Sequence, residues 1–355
     1  MKILTIAGTR PELIRLSIII GKLDKLVDHV FIYTNQNYDY NLGGRFFEEM
    51  KIRNPDYYYQ GCATSFGNFL GVGFTWFEEI LDKENPDKIL VLGDTNSGLL
   101  TILAERRGIP IYHMEAGNRC YDDRVPEETN RRIIDSLSKY NLPYTENSKQ
   151  NLLNSGYDKN HVFKTGNPIF EVLSANYKKI EASDVLTTLD VKKRDYVLVT
   201  FHRAENVDNY GTLVNIVTAL NNIVKDNKMI ISLHPRTQNK LKEINTELNE
   251  NIQVLQPMGF YDFVYLEKNA KCVISDSGTV QEECCIFGVP SLTIRESTER
   301  QETIECGSNI LCGTDTLQII ESFKIAMMRD NNWSVPDDYM VSNVSDTVIN
   351  ILIGK

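Results

Sequence analysis

Twice along this chain, short apolar runs of strand character alternate with stretches of helical period. KILTIAG (2–8) is apolar, rich in β-branched residues and stopped by Gly8. PELIRLSIIIGKLDKLV follows, with apolar residues at helical spacing and Pro at the first helical position. HVFIYT (29–34), KILVLG (88–93) and IPIYHME (109–115) are predicted strands, with short ones near 140–144 and 161–164. Helices are predicted over about 65–84, from Asn96, over 126–139 and over 146–154. The pattern restarts after residue 190 with YVLVTF (196–201), MIISLH (229–234), IQVL (252–255), CVIS (272–275) and PSLTI (290–294). Strands joined through helices pair in parallel, so the expectation is two doubly wound α/β domains with a cleft between them. Ligands in such sheets bind beyond the carboxyl ends of the strands.

With 355 residues, 42% of them hydrophobic, the chain suits two cores. The domains are expected at 1–168 and 169–342, with a last helix at 343–355 packing back on the first. The charged, weakly periodic stretch IEASDVLTTLDVKKRD (180–195) is the expected linker. A net charge of -10 argues against a broad nucleic-acid footprint, so any phosphate site must be local. The start MKILTIAGTRPE has too short an apolar run for a secretory signal. No apolar run approaches a membrane span, and a soluble cytoplasmic protein is expected. Seven Cys, unevenly spaced and without Cys-x-x-Cys, make no disulfide framework; Cys284 and Cys285 read as small buried residues. Five scattered His show no metal-ligand spacing, so no structural zinc is expected.

Nearly every predicted strand ends in a polar cluster. In GTRPE, Arg10 precedes a helix start that favours anions and Arg15 adds a second charge, although an ordinary Pro-initiated surface helix fits as well. No G-x-G-x-x-G follows the first strand and no G-x-x-x-x-G-K-[ST] occurs, so nicotinamide and P-loop readings lack their mechanism. In SDSGTVQEE, Ser277, Gly278 and Thr279 offer hydroxyls and N–H groups to a phosphate at a helix start. Glu282 or Glu283, a turn further in, can accept from ribose hydroxyls; a helix merely complementing its dipole is the plainer alternative. Asp94, Glu115 and one of Glu127 and Glu128 suit general acid/base work. Metal binding by Asp94 and Glu115 is the rival, weakened because Arg10, Arg15 and Arg300 can neutralise a diphosphate. At least one of Glu127 and Glu128 reads as a helix N-terminal acid. His202, in HRAEN, is placed to donate to a phosphate or hydroxyl, and Phe263 reads as core.

Together and in this order, GTRPE, GDTNS, HMEAGNR, PEETNRR, FHRAEN, HP, SDSGTVQEE and STERQE resemble the non-hydrolysing UDP-N-acetylglucosamine 2-epimerase family. The resemblance implies two Rossmann-like domains in the GT-B arrangement, usually a homodimer, and inversion of C2 of a UDP-activated 2-acetamido sugar without NAD or an essential metal. It implies diphosphate binding by Arg10 and Arg15, catalytic carboxylates at Asp94, Glu115 and Glu127, and a phosphate-side histidine at His202. Phe263 matches an aromatic residue that helps hold uracil, Ser277 and Gly278 the phosphate turn, Glu283 the ribose carboxylate and Arg300 the arginine of the TERxE segment. The family's usual Ser-Gly-Gly turn has Thr279 as its third residue here.

A closer resemblance lies in EAGNRCYDDRVPEETNRRIIDSLSKYNLPYTENSKQNLL (115–153) and TGNPIFEVL (165–173). It is to the subgroup that converts UDP-2-acetamido-2,6-dideoxy-L-talose to UDP-N-acetyl-L-fucosamine for capsule or O-antigen, with the related subgroup that makes UDP-N-acetyl-L-quinovosamine from the L-rhamnose-configured sugar as the alternative. QNYDYNLGG (36–44) departs from the stretch that binds an allosteric UDP-N-acetylglucosamine in the parent family, which argues against such activation. A GT-B glycosyltransferase is the competing class; three carboxylates in the first domain favour epimerisation.

Overall fold

A computed structural model describes residues 1–34, 46–59, 61 and 65–355, so QNYDYNLGG lies outside the described residues. The chain forms two compact units, Met1–Ser174 with Asp338–Lys355, and Ala175–Asp337. The first holds a parallel sheet of six described strands: β1 (Lys2–Ala7), β2 (Asp28–Tyr33), β3 (Tyr57–Tyr58), β4 (Lys88–Leu92), β5 (Ile111–Met114) and β6 (Tyr140–Leu142). Their spatial order is β3-β2-β1-β4-β5-β6. The second sheet holds β7 (Tyr196–Thr200), β8 (Lys228–Ser232), β9 (Ile252–Leu255), β10 (Cys272–Ser275), β11 (Ser291–Thr293) and β12 (Asn309–Leu311), in the order β12-β11-β10-β7-β8-β9.

Both orders are the doubly wound arrangement with a single reversal, between β1 and β4 in one sheet and between β7 and β10 in the other. The central strands are apolar on both faces because helices cover both; every residue of β1 after Lys2 is buried. The segments leaving the two strands at each reversal therefore open side by side. These are GTRPE and GDTNS in the first unit, FHRAEN and SDSGTVQEE in the second.

Several expectations need correction. The apolar run near 161–164 makes only an isolated bridge, Asn141 to Val162. The helix expected from Asn96 is broken into Asn96–Leu99 and Ile102–Arg106. β3 and β12 were too short to carry a period. Residues 180–195 are not the linker: they lie in the second unit, where the Arg194 N–H donates to the Asn269 carbonyl at 2.7 Å. The units divide after Ser174, within the helix Ile169–Glu181. The helix Val344–Gly354 belongs to the first unit and packs on the helix Arg10–Leu26. Among the described residues no helix is long and apolar enough to cross a membrane.

Candidate active site

Glu12 organises the first reversal. Its carboxylate accepts from the N–H groups of Gly8 and Thr9 (2.7 Å for Thr9) after β1, and from the Thr95 hydroxyl after β4 at 2.7 Å. Burial pushes its pKa up to about 7, against the pull of these three donors. The same contacts alter the expected role of the helix start. Thr9 and Glu12 form a capping box, and Pro11 has no N–H. The start of Arg10–Leu26 is thus satisfied by its own side chains, and what it offers an anion is chiefly the Arg10 side chain, half-buried over the Phe46 ring.

Asp94 follows β4 and meets Arg131, with Nη2 2.6 Å from Oδ2. Its carbonyl accepts from Asn130 at 2.9 Å. Arg131 is buried in the helix Pro126–Leu137 and also reaches Glu128 at 3.1 Å. Adjacent Glu127 and Glu128 are in different situations. Glu128 is buried and accepts from the Cys120 N–H, Arg131 and Arg132. Burial pushes its carboxyl up, but those donors outweigh it and hold the group below the usual range. Glu127 is half-buried and has no side-chain partner among the described residues.

Glu115 follows β5 in a left-handed conformation, φ 67°, that non-glycine residues seldom adopt. Its oxygens are held by Arg15 at 2.7 Å and Asn118 at 3.2 Å, all three residues being buried. The turn is anchored by Asp135, which accepts from the Gly117 N–H (3.2 Å) and Arg119 (2.6 Å) and contacts His113 Nδ1 at 2.9 Å. His113 Nε2 lies 2.8 Å from the Gly93 carbonyl, tying the β5 end to the β4 end. Gly117 is required: at φ 78°, a Cβ there would sit 2.2 Å from the Ser148 carbonyl oxygen.

In the second unit Asp276, fully buried after β10, accepts from the N–H groups of His202 (3.0 Å) and Arg203 (2.9 Å) and from Asn206. It joins the segments after β7 and β10 as Glu12 does in the first unit. The His202 side chain is 50% exposed and stacks on His234 with ring centres 5.7 Å apart. Ser277 is the N-cap of the helix Gly278–Phe287, and its side chain caps none of the helix N–H groups. Unlike Arg10–Leu26, this helix has no capping box, and its start after a strand end favours an anion through the helix dipole. Gly278 lies under Glu299, whose Oε1 would be 2.9 Å from an added Cβ. Thr279 lies inside the helix, so its position makes no demand for a second glycine.

Glu282 and Glu283 are both buried and differently paired. Glu282 takes Arg300, whose guanidinium also lies 3.6 Å from Glu299. Glu283 neighbours Glu267, which burial and then the Glu283 charge push well above the usual carboxylate range. Phe263 is half-buried on the helix Phe260–Asn269 and outside the core cluster of this unit, not the core residue its apolar face suggested.

A family model described as UDP-N-acetylglucosamine 2-epimerase matches residues 22–353. The chain belongs to that family. It is an isomerase, a UDP-sugar 2-epimerase. A UDP-N-acetylglucosamine 2-epimerase of Methanocaldococcus jannaschii is 41% identical over 347 residues, covering 95% of each chain. A UDP-2,3-diacetamido-2,3-dideoxy-D-glucuronate 2-epimerase of Pseudomonas aeruginosa is 33% identical, covering 92% of each. Among solved structures, the Methanocaldococcus jannaschii UDP-GlcNAc 2-epimerase in complex with UDP-GlcNAc and UDP matches with TM-score 0.95 and 40% identity, covering 100% of both chains. The two parallel-sheet α/β domains expected from the sequence are thus those of this GT-B-like epimerase fold.

Within this 2-epimerase, sequence reasoning singled out Asp94, Glu115 and the 277–283 turn but missed the residues that hold them. Glu12, Arg131, Asp135 and Asp276 all lie inside quoted motifs or one residue beyond a buried strand, so the signal was available. What distinguishes them is burial, which spacing does not report.

Proposed function

We propose that this enzyme inverts C2 of a UDP-activated 2-acetamido hexose by eliminating UDP and adding it back. The observation that carries this is the trio in the first unit: Asp94 on Arg131, Glu115 on Arg15, and Glu127 free of the contacts that occupy Glu128. No carbonyl acidifies C2–H of such a sugar. Breaking the C1–O bond leaves positive charge on C1, and loss of the C2 proton to a carboxylate then gives a glycal and UDP. Asp94, Glu115 and Glu127 supply the base on one face and the acid on the other. A proton returns to C2 from the opposite face as UDP re-forms the C1–O bond.

The turn Ser277–Thr279, at a helix start, holds the diphosphate, with Arg300 and His202 as donors, and the resemblance adds Arg10. Arg15, drawn to the diphosphate by the resemblance, is better read as the counter-ion of Glu115 at 2.7 Å. Glu283 takes the ribose and Phe263, half-buried, the uracil. We further read the enzyme as a cytoplasmic homodimer serving capsule or O-antigen synthesis, on the resemblance alone; size-exclusion with light scattering checks the dimer.

For the sugar, UDP-N-acetylglucosamine, giving UDP-N-acetylmannosamine, is supported by the names of whole-length relatives at 41% and 38% identity. UDP-2-acetamido-2,6-dideoxy-L-talose is supported by the stretches 115–153 and 165–173. Incubation with each in deuterated water, followed by NMR, tests both. The expected result is a C2-inverted product carrying deuterium at C2, with traces of free UDP and a 2-acetamidoglycal. Product without solvent label at C2 overturns the scheme.

A further inference from the structure

We propose that Glu12 is a positioning residue for this reaction, setting the place of Asp94 through Thr95. The proposal rests on the functional reading above. Asp94 is anchored from two sides by the helix Pro126–Leu137, its carboxylate on Arg131 and its carbonyl on Asn130. Neither contact reaches toward β1. A link toward β1 runs through the adjacent Thr95, whose hydroxyl donates to Glu12 at 2.7 Å. The other oxygen of Glu12 is held by the N–H groups of Gly8 and Thr9, the rigid end of a buried strand. One buried carboxylate therefore locks the segment carrying Asp94 to the segment carrying Arg10, across the point where the strand order reverses. A carboxylate is expensive to bury, and a cap alone would be served at the surface. This one has a donor for each oxygen from a different strand end, which is the arrangement of a joint.

The chemistry allows a clean separation. In Glu12→Gln the amide oxygen accepts from Gly8 and Thr9, and the amide nitrogen donates to Thr95, whose hydroxyl turns round to accept. The joint survives. In Glu12→Ala both halves are lost. In Thr95→Val only the link to the Asp94 segment is lost, and the Gly8 and Thr9 contacts remain.

The experiment measures kcat for these variants on whichever UDP-2-acetamido sugar the wild type converts, with UDP affinity by calorimetry. Expected is a fall in kcat on the order of 100-fold for Glu12→Ala, the scale of an ångström misplacement. Thr95→Val should lower kcat with UDP affinity unchanged, and Glu12→Gln should retain most activity. Adding Thr95→Val to Glu12→Ala should cost nothing further, because both break one joint. Wild-type kcat in Thr95→Val, or losses that multiply in the double variant, would overturn the assignment. If Glu12→Ala fails to fold, Thr95→Val and Glu12→Gln still decide it. A wild type that converts no such sugar strikes the functional reading instead.

Discussion

Glu127 and Glu128 are neighbours in sequence, yet one is a structural anion and the other is available for chemistry. Removing Glu128 takes one of two carboxylates from the buried Arg131 and the acceptor from the Cys120 N–H, so Glu128→Ala should lose about 2 kcal/mol in denaturant unfolding. Glu127→Gln should unfold like the wild type and lose turnover; wild-type turnover would remove Glu127 from the mechanism. Glu12 makes stability depend on pH. Its pKa is about 7 in the fold against an ordinary 4.5. The folded state therefore holds the proton more tightly, and the associated stability is full below about pH 4.5 and lost as pH rises through 7. The span corresponds to about 3 kcal/mol. Melting curves from pH 5 to 8 should show the wild type losing ground to Glu12→Gln, and parallel curves would refute the shift. Cysteine reactivity is graded too. Cys306 is pushed down to about 6, first by its hydrogen bond with Cys285, whose sulfur lies 3.6 Å away, and then by Ser308. Burial pushes Cys272, Cys284 and Cys312 up. Iodoacetamide followed by peptide mass mapping should find Cys306 modified first among the described cysteines.

At the scale of elements, the last helix shows how a distant segment completes a core. Val344–Gly354 buries Val344, Val348, Ile349 and Leu352, and Ser345 accepts from Lys22 at 2.8 Å and bonds Glu171. Leu352→Ala should lower the unfolding free energy of the first unit by about 3 kcal/mol, read from a denaturant titration. The two helix starts make the complementary point. Arg10–Leu26 is closed by its capping box, whereas Gly278–Phe287 has none and its N-cap Ser277 makes no side-chain cap. Two Pro- or Gly-initiated helices look alike as anion sites in sequence; which one is closed by a capping box depends on whether a side chain three residues in can fold back.

At the scale of the molecule, each unit has its own sheet, reversal and joint, and each reversal gathers two polar segments. Two cores make a single two-state transition a poor description of unfolding. If the nucleotide sits on the second unit, saturating UDP should slow hydrogen exchange around 275–283 and leave β1 and β4 little changed; protection confined to the first unit would contradict that. The alternation of apolar runs with helical stretches determined the class of both domains, because strand and helix periods are local properties. The order of the motifs likewise determined the family, and the acidic residues at strand ends could be read directly. The linker could not be read from 180–195, because charge and weak periodicity also describe a surface helix that packs on its own domain. Tertiary structure alone decided which partners each glutamate of the two adjacent pairs meets. It also decided that Glu12, Asp135 and Asp276 are the joints, since burial and hydrogen-bond partners come from strands far apart in the chain. A carboxylate's role is set by the donors that converge on it, and convergence is a property of the folded chain.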